Sequence, residues 1–277
     1  MEFYLETKDF TLTGETFKLL HDPVLDMLVT EPQPENIGKY YESEDYISHT
    51  DAKKSLVDKI YHRVKGYNLK GKLSLINSYA GTDKSVLDVG AGTGDFLALA
   101  KKCGWEASGV EPNDLARLKA QNKGVTLIEY LDAVPASQKF EVITLWHVLE
   151  HLPDLESQIA KLVGLLTNTG TLIVAVPNFK SYDANYYKEY WAAFDVPRHL
   201  WHFSQKSVKK IFAKHGMKLV RTKPMFFDAF YVSLLSEKYK NGKQNFLSAF
   251  RIGLRSNLQA LGTKEFSSLI YVLKRAK

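Results

Sequence analysis

Val86-Leu-Asp-Val-Gly-Ala-Gly-Thr-Gly-Asp-Phe-Leu97 decides the fold. Val86 to Val89 is a short apolar run closed by a turn, the pattern of a buried strand. Glycines at 90, 92 and 94 follow, and apolar spacing resumes at Phe96 and Leu97 as a helix begins. Glycine reaches φ > 0 and lets the backbone lie flat against a ligand. The helix that follows turns unpaired N–H groups towards whatever sits over the glycines, which suits a nucleotide-like cofactor. Glu111 ends the run Ala107-Ser-Gly-Val-Glu111-Pro112, 17 residues after Gly94. A carboxylate at that strand end can hold the two hydroxyls of a ribose. The glycines could also form a tight turn with no ligand, and Glu111 is the independent support for one.

A dinucleotide site calls for G-x-G-x-x-G, with the helix end facing a pyrophosphate. Counted from Gly90, the third glycine position is Asp95, a negative side chain that repels a diphosphate. Asp88 adds a second acid. Both suit S-adenosylmethionine, which carries a cationic sulfonium and an ammonium group. The segment resembles the acidic-x-G-x-G-x-G motif of class I S-adenosylmethionine-dependent methyltransferases. The resemblance implies an α/β, Rossmann-like fold: a seven-stranded, mostly parallel sheet with helices on both faces. It also implies that Asp88, Gly90, Ala91, Gly92 and Gly94 hold the methionine portion and Glu111 with Pro112 the ribose. Leu131 and Asp132 would lie by the adenine, and the backbone near Trp146 would close over the cofactor.

The rest of the chain fits that frame. Strand-like runs at Ser85–Val89, Ala107–Glu111, Val125–Ile128, Glu141–Leu145 and Gly170–Val176 alternate with helical ones near 95–103, 113–121 and 155–166. Such alternation predicts a parallel sheet between helical layers. Residues 1–80 read as an N-terminal lid, irregular to about residue 45 and helical after Thr50, with a second helix over Lys70–Tyr79. Residues 81–277 read as the methyltransferase domain, with a basic helical insertion at about 229–261 before a last strand at Ser268–Leu273.

At 277 residues, 45% hydrophobic and 25% charged, the chain can bury a substantial core. One cysteine, Cys103, excludes an internal disulfide and a Cys-rich zinc site. No basic region followed by an apolar run opens the sequence, and no apolar run approaches a membrane span, so a cytoplasmic protein is expected. Ser204 to Lys277 carries 16 basic and three acidic residues, net +13, against −7 for the remainder. This asymmetry suits an anionic substrate, nucleic acid or a membrane surface, or only solvated helix faces. Nucleic acid is not favoured as a partner.

Two clusters could carry chemistry. Leu145-Trp-His147-Val-Leu-Glu150-His151-Leu-Pro-Asp154 follows the fourth strand, where ligands of open α/β sheets gather. Imidazole changes protonation near neutral pH, so His147 and His151 are candidate bases for an oxygen acceptor, unless they serve only to shape the turn. The segment resembles the Leu-Glu-His-x-x-Asp signature of ubiquinone-biosynthesis-like methyltransferases. Some relatives place Glu-x-x-Glu-His here and bind a divalent metal; His147 replaces the first glutamate, and no metal is expected. The Asn/Asp-Pro-Pro-Tyr signature of enzymes that methylate amides or nucleobase amines is missing after the fourth strand.

The second cluster, Trp191-Ala-Ala-Phe-Asp195-Val-Pro-Arg198-His199-Leu-Trp-His202, resembles the Asp-x-Pro-Arg-His-Leu stretch of the same subgroup. It makes His199 a third candidate base and Trp191, Asp195, Arg198 and His202 candidates for contact with a small-molecule acceptor, with Arg198–Asp195 loop pinning as the other reading. Tyr46, beside Tyr40 and Tyr41, could face the sulfonium through cation–π attraction. Two other functions stay open: a nicotinamide-dependent oxidoreductase, and a non-catalytic module that binds S-adenosylmethionine or nucleic acid.

Overall fold

A computed structural model describes residues 1–41 and 56–276, apart from the side chains of 56–62. In chain order the main elements are β1 (Glu2–Lys8), β2 (Thr16–Asp22), β3 (Met27–Glu31), α1 (Leu56–Asn77), β4 (Ser85–Val89), α2 (Asp95–Lys102), β5 (Glu106–Val110) and α3 (Asp114–Gln121). They continue with β6 (Phe140–Trp146), α4 (Leu155–Gly164), β7 (Leu166–Pro177), α5 (Tyr182–Tyr187), β8 (Trp201–His202), α6 (Gln205–Lys214), β9 (Met217–Pro224), α7 (Asp228–Asn241), α8 (Phe246–Thr263) and β10 (Ser268–Arg275). Six strands form one sheet in the order β5-β4-β6-β7-β10-β9. The chain divides into two compact units, with β7 and β10 contributing to both.

One unit contains residues up to Trp146 from α1 onward, with α4 from Ile159, the first part of β7 and the end of β10. Every residue of β4 is buried, and the strand pairs in parallel with β5 and β6. Register places Asp88 opposite Gly109 on one side and Thr144 on the other. Gly94 sits at φ 71, where an added Cβ would lie 2.8 Å from that of Ala120, so glycine serves both the turn and the approach of α3. Helix α3 is capped by Asn113, whose side chain accepts the Ala116 N–H at 2.9 Å. The seventh strand expected at Val125–Ile128 contributes only a parallel bridge between Ile128 and Val110. Two backbone bonds support it, Ile128 N–H to Gly109 and Glu111 N–H to Ile128, because the segment is short and runs out into exposed Glu129 and Tyr130. Instead of two helices before β4, the described residues form one, α1. Gly66 and Gly71 weaken its interior without breaking it, and Leu75 and Ile76 bury its end.

The other unit holds the described residues of Met1–Ser48, together with His147–Gln158 and Val174–Tyr271. The expectation of an irregular N-terminus is corrected here: residues 2–31 form three antiparallel strands, joined by β8 in the order β1-β2-β3-β8. Alternation in β2 sends Phe17 and Leu19 into a core with Leu28, Tyr187, Trp191 and Phe194. Gly14 at φ 71 turns β1 into β2, and the Asp9 carboxylate accepts the N–H groups of Thr11 and Thr13 in that turn. Thr30 on β3 then holds the loop before β8, donating its hydroxyl to the His199 carbonyl at 2.6 Å and its N–H to the Leu200 carbonyl at 3.1 Å. The expected insertion is helical, as α7 and α8. Tyr46 lies outside the described residues.

Candidate active site

The glycine turn and the strand ends beside it form a cradle. Gly90, Gly92 and Gly94 all have φ between 53 and 71, and nothing lies within 4 Å of the place a Cβ on Gly92 would occupy. That open face is where a flat ligand can approach the backbone. Glu111 stands beside it, accepting the Gly92 N–H at 2.7 Å and the Asn113 N–H at 3.0 Å. The Trp146 indole N–H is buried without a hydrogen-bond partner among the described residues, and its ring packs edge-on against Phe96. The Lys72 ammonium lies 4.5 Å from the centre of the same ring. Asp132 pairs with Lys161 at 2.5 Å, beside Leu131. An open glycine face, an unpartnered buried donor and an acidic strand end fit an adenosyl cofactor with a cationic tail.

Asp88 is buried and accepts a hydrogen bond from the Thr144 hydroxyl at 2.6 Å. Burial pushes its carboxyl up to about 7, with nearby Lys72 opposing the shift. A cationic ligand favours the ionised form, so its binding should release a proton. The sign follows: affinity for S-adenosylmethionine falls as pH drops below about 7, by up to about tenfold per pH unit. Calorimetric titration across pH 5.5 to 8 in buffers of differing ionisation enthalpy measures the proton release. A pH-independent affinity would remove Asp88 from cofactor binding.

Asp95 behaves differently from the sequence expectation. It is paired with Lys65 at 2.9 Å and Lys123 at 2.8 Å, and Thr93 donates to it. Burial works to raise its pKa, but these hydrogen bonds hold it below the usual carboxylate value. Its charge is matched locally, so it does not by itself bar a pyrophosphate. Glu111 keeps its weight. Removing one partner of a charged hydrogen bond costs about 1.5–3 kcal/mol, so Glu111→Ala should weaken S-adenosylhomocysteine binding at least about tenfold. An unchanged calorimetric affinity would contradict the ribose assignment.

The turn after β6 brings together a second set. His147 has φ 58, and its two ring nitrogens lie 3.0 Å from Asp228 and 3.3 Å from Glu150. Burial alone would lower its pKa, but hydrogen bonds to Asp228 and Glu150 outweigh it and push the imidazole up to about 10. A ring that stays charged with both nitrogens engaged is no proton acceptor, so His147 is corrected from candidate base to charged anchor of the turn. His151 Nδ1 lies 3.0 Å from the Arg198 carbonyl and 2.9 Å from the Tyr41 hydroxyl. A carbonyl only accepts, which assigns the proton to Nδ1 and leaves the lone pair on Nε2. His199 Nδ1 meets the Ala193 carbonyl at 2.9 Å, which likewise places a proton on Nδ1 and turns Nε2 away from that carbonyl. Burial, then the nearness of His199, pushes His151 down to about 4.

Glu150 completes the group. It is fully buried, its Oε2 has no hydrogen-bond partner among the described residues, and its backbone carbonyl accepts the Leu200 N–H at 2.8 Å. One ligand atom from each of Glu150, His151 and His199 lies within 4.8 Å of the others. A buried carboxylate and two imidazoles can take a proton from a hydroxyl or hold a divalent cation.

The remaining loop residues are structural. Arg198 is 1% exposed, and its guanidinium bonds Asp195 at 2.6 Å, Asp9 at 2.9 Å and the Tyr40 carbonyl at 3.1 Å. The guanidinium is enclosed and bonded within the protein, so the observed arrangement is that of loop pinning by Arg198 and Asp195. Trp191 is buried in the core and donates to Asp183 at 2.8 Å. His202 is buried against Thr30, whose hydroxyl hydrogen already goes to His199, so Nε2–H of His202 donates. Arg198, Trp191 and His202 are buried, and Asp195, half-buried, turns its carboxylate onto Arg198. Sequence reading also missed Asp228 and Tyr41 as partners of the histidines. Asp228 stands 81 residues from His147, and no local pattern announces it.

Residues 14–222 match the methyltransferase-domain family. The chain belongs to the class I S-adenosylmethionine-dependent methyltransferases. Over 110 residues it is 36% identical to a ubiquinone biosynthesis O-methyltransferase of Histophilus somni, covering 35% of this chain and 46% of that protein. The counterpart from Pectobacterium atrosepticum is 37% identical over 104 residues, covering 34% and 43%. The chain thus spans less than half the length of these curated relatives. Among solved structures, a magnesium protoporphyrin IX methyltransferase from Synechocystis with bound SAH aligns with a TM-score of 0.57 at 16% identity, covering 86% of this chain and 97% of that one. A methyltransferase from Archaeoglobus fulgidus gives 0.51 at 18% identity, covering 76% and 94%. At such identities these structures speak for the fold. Family membership retires the oxidoreductase alternative.

Proposed function

We propose that this chain transfers the methyl group of S-adenosylmethionine to a hydroxyl oxygen of a small-molecule acceptor. The observation that carries the reading is the group formed by Glu150 and His151, on the turn leaving the carboxyl end of β6, with His199 from the loop before β8; that strand end is where α/β sheets place reacting ligands. The curated relatives, named as O-methyltransferases, support oxygen as the acceptor atom. The oxygen attacks the sulfonium methyl in line: the O–C bond forms as the S–C bond breaks, leaving S-adenosylhomocysteine and a methyl ether. The hydroxyl proton passes to Nε2 of His151 or His199, each held in the right tautomer by a backbone carbonyl. Most of the rate gain comes from positioning the two reactants, with a smaller share from proton removal.

The unpartnered Oε2 of buried Glu150 favours a second reading, in which Glu150, His151 and His199 hold a divalent cation. A bound cation would lower the pKa of a coordinated hydroxyl. In that reading His147, in place of a fourth ligand, fixes Glu150 from the side. Incubation with methyl-labelled S-adenosylmethionine and a panel of phenols, alcohols, amines and carboxylic acids tests the function. Label recovered in methyl ethers is expected, and label confined to nitrogen or carbon products would overturn it. Loss of transfer in a chelator, restored by one cation, selects the second reading over the first.

A further inference from the structure

Helix α8 is built with its polarity reversed. Apart from half-buried Ile252, which packs on the core, the residues it turns inward are small or polar: Ala249, Gly253, Ser256, Asn257 and Ala260 are buried. A Cβ on Gly253 would lie 2.8 Å from the Phe230 ring and 3.0 Å from the Ala229 carbonyl, so close packing on α7 leaves no room for large side chains there. The large apolar residues point out instead. Phe246, Leu247, Phe250, Leu254, Leu258 and Leu261 are each between 41% and 61% exposed. At about 100° per residue they fall within an arc of about 120°, a continuous stripe along a helix about 27 Å long. A contiguous exposed apolar stripe of such size marks an interaction site.

Charge identifies the occupant. Helix α8 contains no acidic residue, and Arg251 and Arg255, both exposed, border the apolar arc on one side. Exposed Lys243 precedes the helix and exposed Lys264 follows it. In an antiparallel pair of two copies the arginine borders would fall on the same side, a like-charge arrangement. No described helix is long and apolar enough to cross a membrane. A basic helix with one strongly apolar face lies in the plane of a membrane surface, its hydrocarbon face among acyl chains and its cations among phosphates.

We propose that α8 docks this protein on an anionic phospholipid surface, with the stripe from Phe246 to Leu261 entering the acyl boundary and Arg251 and Arg255 meeting phosphate oxygens. Docking uses none of the residues of the cofactor cradle or the histidine turn, so it stands independently of the reaction.

Co-sedimentation of the full chain with vesicles of phosphatidylcholine, with or without phosphatidylglycerol, tests this. Binding to the anionic vesicles should exceed that to the neutral ones at least about tenfold and weaken with added salt. Leu254→Glu with Leu258→Glu should reduce it at least about tenfold, and Arg251→Glu with Arg255→Glu should weaken it and flatten its salt dependence. Calorimetric binding of S-adenosylhomocysteine should be the same in every variant, which separates loss of docking from loss of fold. Failure of the wild-type chain to bind anionic vesicles, or undiminished binding by the leucine variant, would overturn the proposal. A wild-type dimer in sedimentation velocity that the leucine variant dissociates would overturn it in favour of self-association.

Discussion

Arg198→Met should lower the free energy of unfolding by about 3–5 kcal/mol, a fall in Tm on the order of 10 °C. Arg198 and Asp9 are both at most 1% exposed, and their bond joins the turn after β1 to the loop carrying His199. Removing the guanidinium leaves the Asp9 carboxylate buried with only the donors of its own turn. Burial alone would raise the Asp9 pKa, but hydrogen bonds from Arg198 and Thr13 hold it below its ordinary 3.8. With a depressed folded pKa, this group's stabilisation is present above 3.8 and is lost as pH falls through the folded value. The penalty of the variant should therefore shrink in acid, as Asp9 becomes protonated. Urea denaturation at pH 7 and at pH 3, below the ordinary carboxyl value, measures both effects. A penalty below about 1 kcal/mol at pH 7 would show that the pair does not fix this loop.

The second large effect is on turnover. Positioned proton acceptors contribute about 10²- to 10⁴-fold, so replacing the one that serves, by His151→Gln or His199→Gln, should lower kcat by that order. Loss of a cation ligand would act in the same direction. Affinity for S-adenosylhomocysteine should stay within about twofold, because neither ring belongs to the glycine cradle. His147→Gln should act otherwise: the charged ring balances Asp228 and Glu150, so its loss should show mainly in stability. Full activity in both His151 and His199 variants would leave positioning as the source of catalysis.

What sequence revealed and what it concealed divide along distance in the chain. The turn from Gly90 to Gly94 and its acid at Glu111 are local, and chain order is enough to read them. The alternation of apolar runs pointed to a parallel sheet, though not to which strands flank Asp88. The roles of Arg198 and His147 were hidden because their charge partners are remote: Asp9 stands 189 residues from Arg198, and Asp228 stands 81 from His147. Arg198 looked like a ligand contact because an arginine beside histidines and aromatics has that composition whether buried or exposed. The N-terminal strands left a weaker trace. Only Thr7 of β1 is fully buried, so its alternation is faint. In β2, Phe17-Lys-Leu19 between the turn residues Gly14 and Pro23 carried a readable period of two. The stripe on α8 was visible as a basic helical segment, but which face pointed outward depended on the small residues packed against α7.

Titration of the wild-type protein with S-adenosylhomocysteine and, separately, with NADH tests the central claim most directly. A saturable one-to-one isotherm with S-adenosylhomocysteine, weakened at least about tenfold by Glu111→Ala, and no heat with NADH is the predicted result. Binding of NADH with no response to S-adenosylhomocysteine would contradict it.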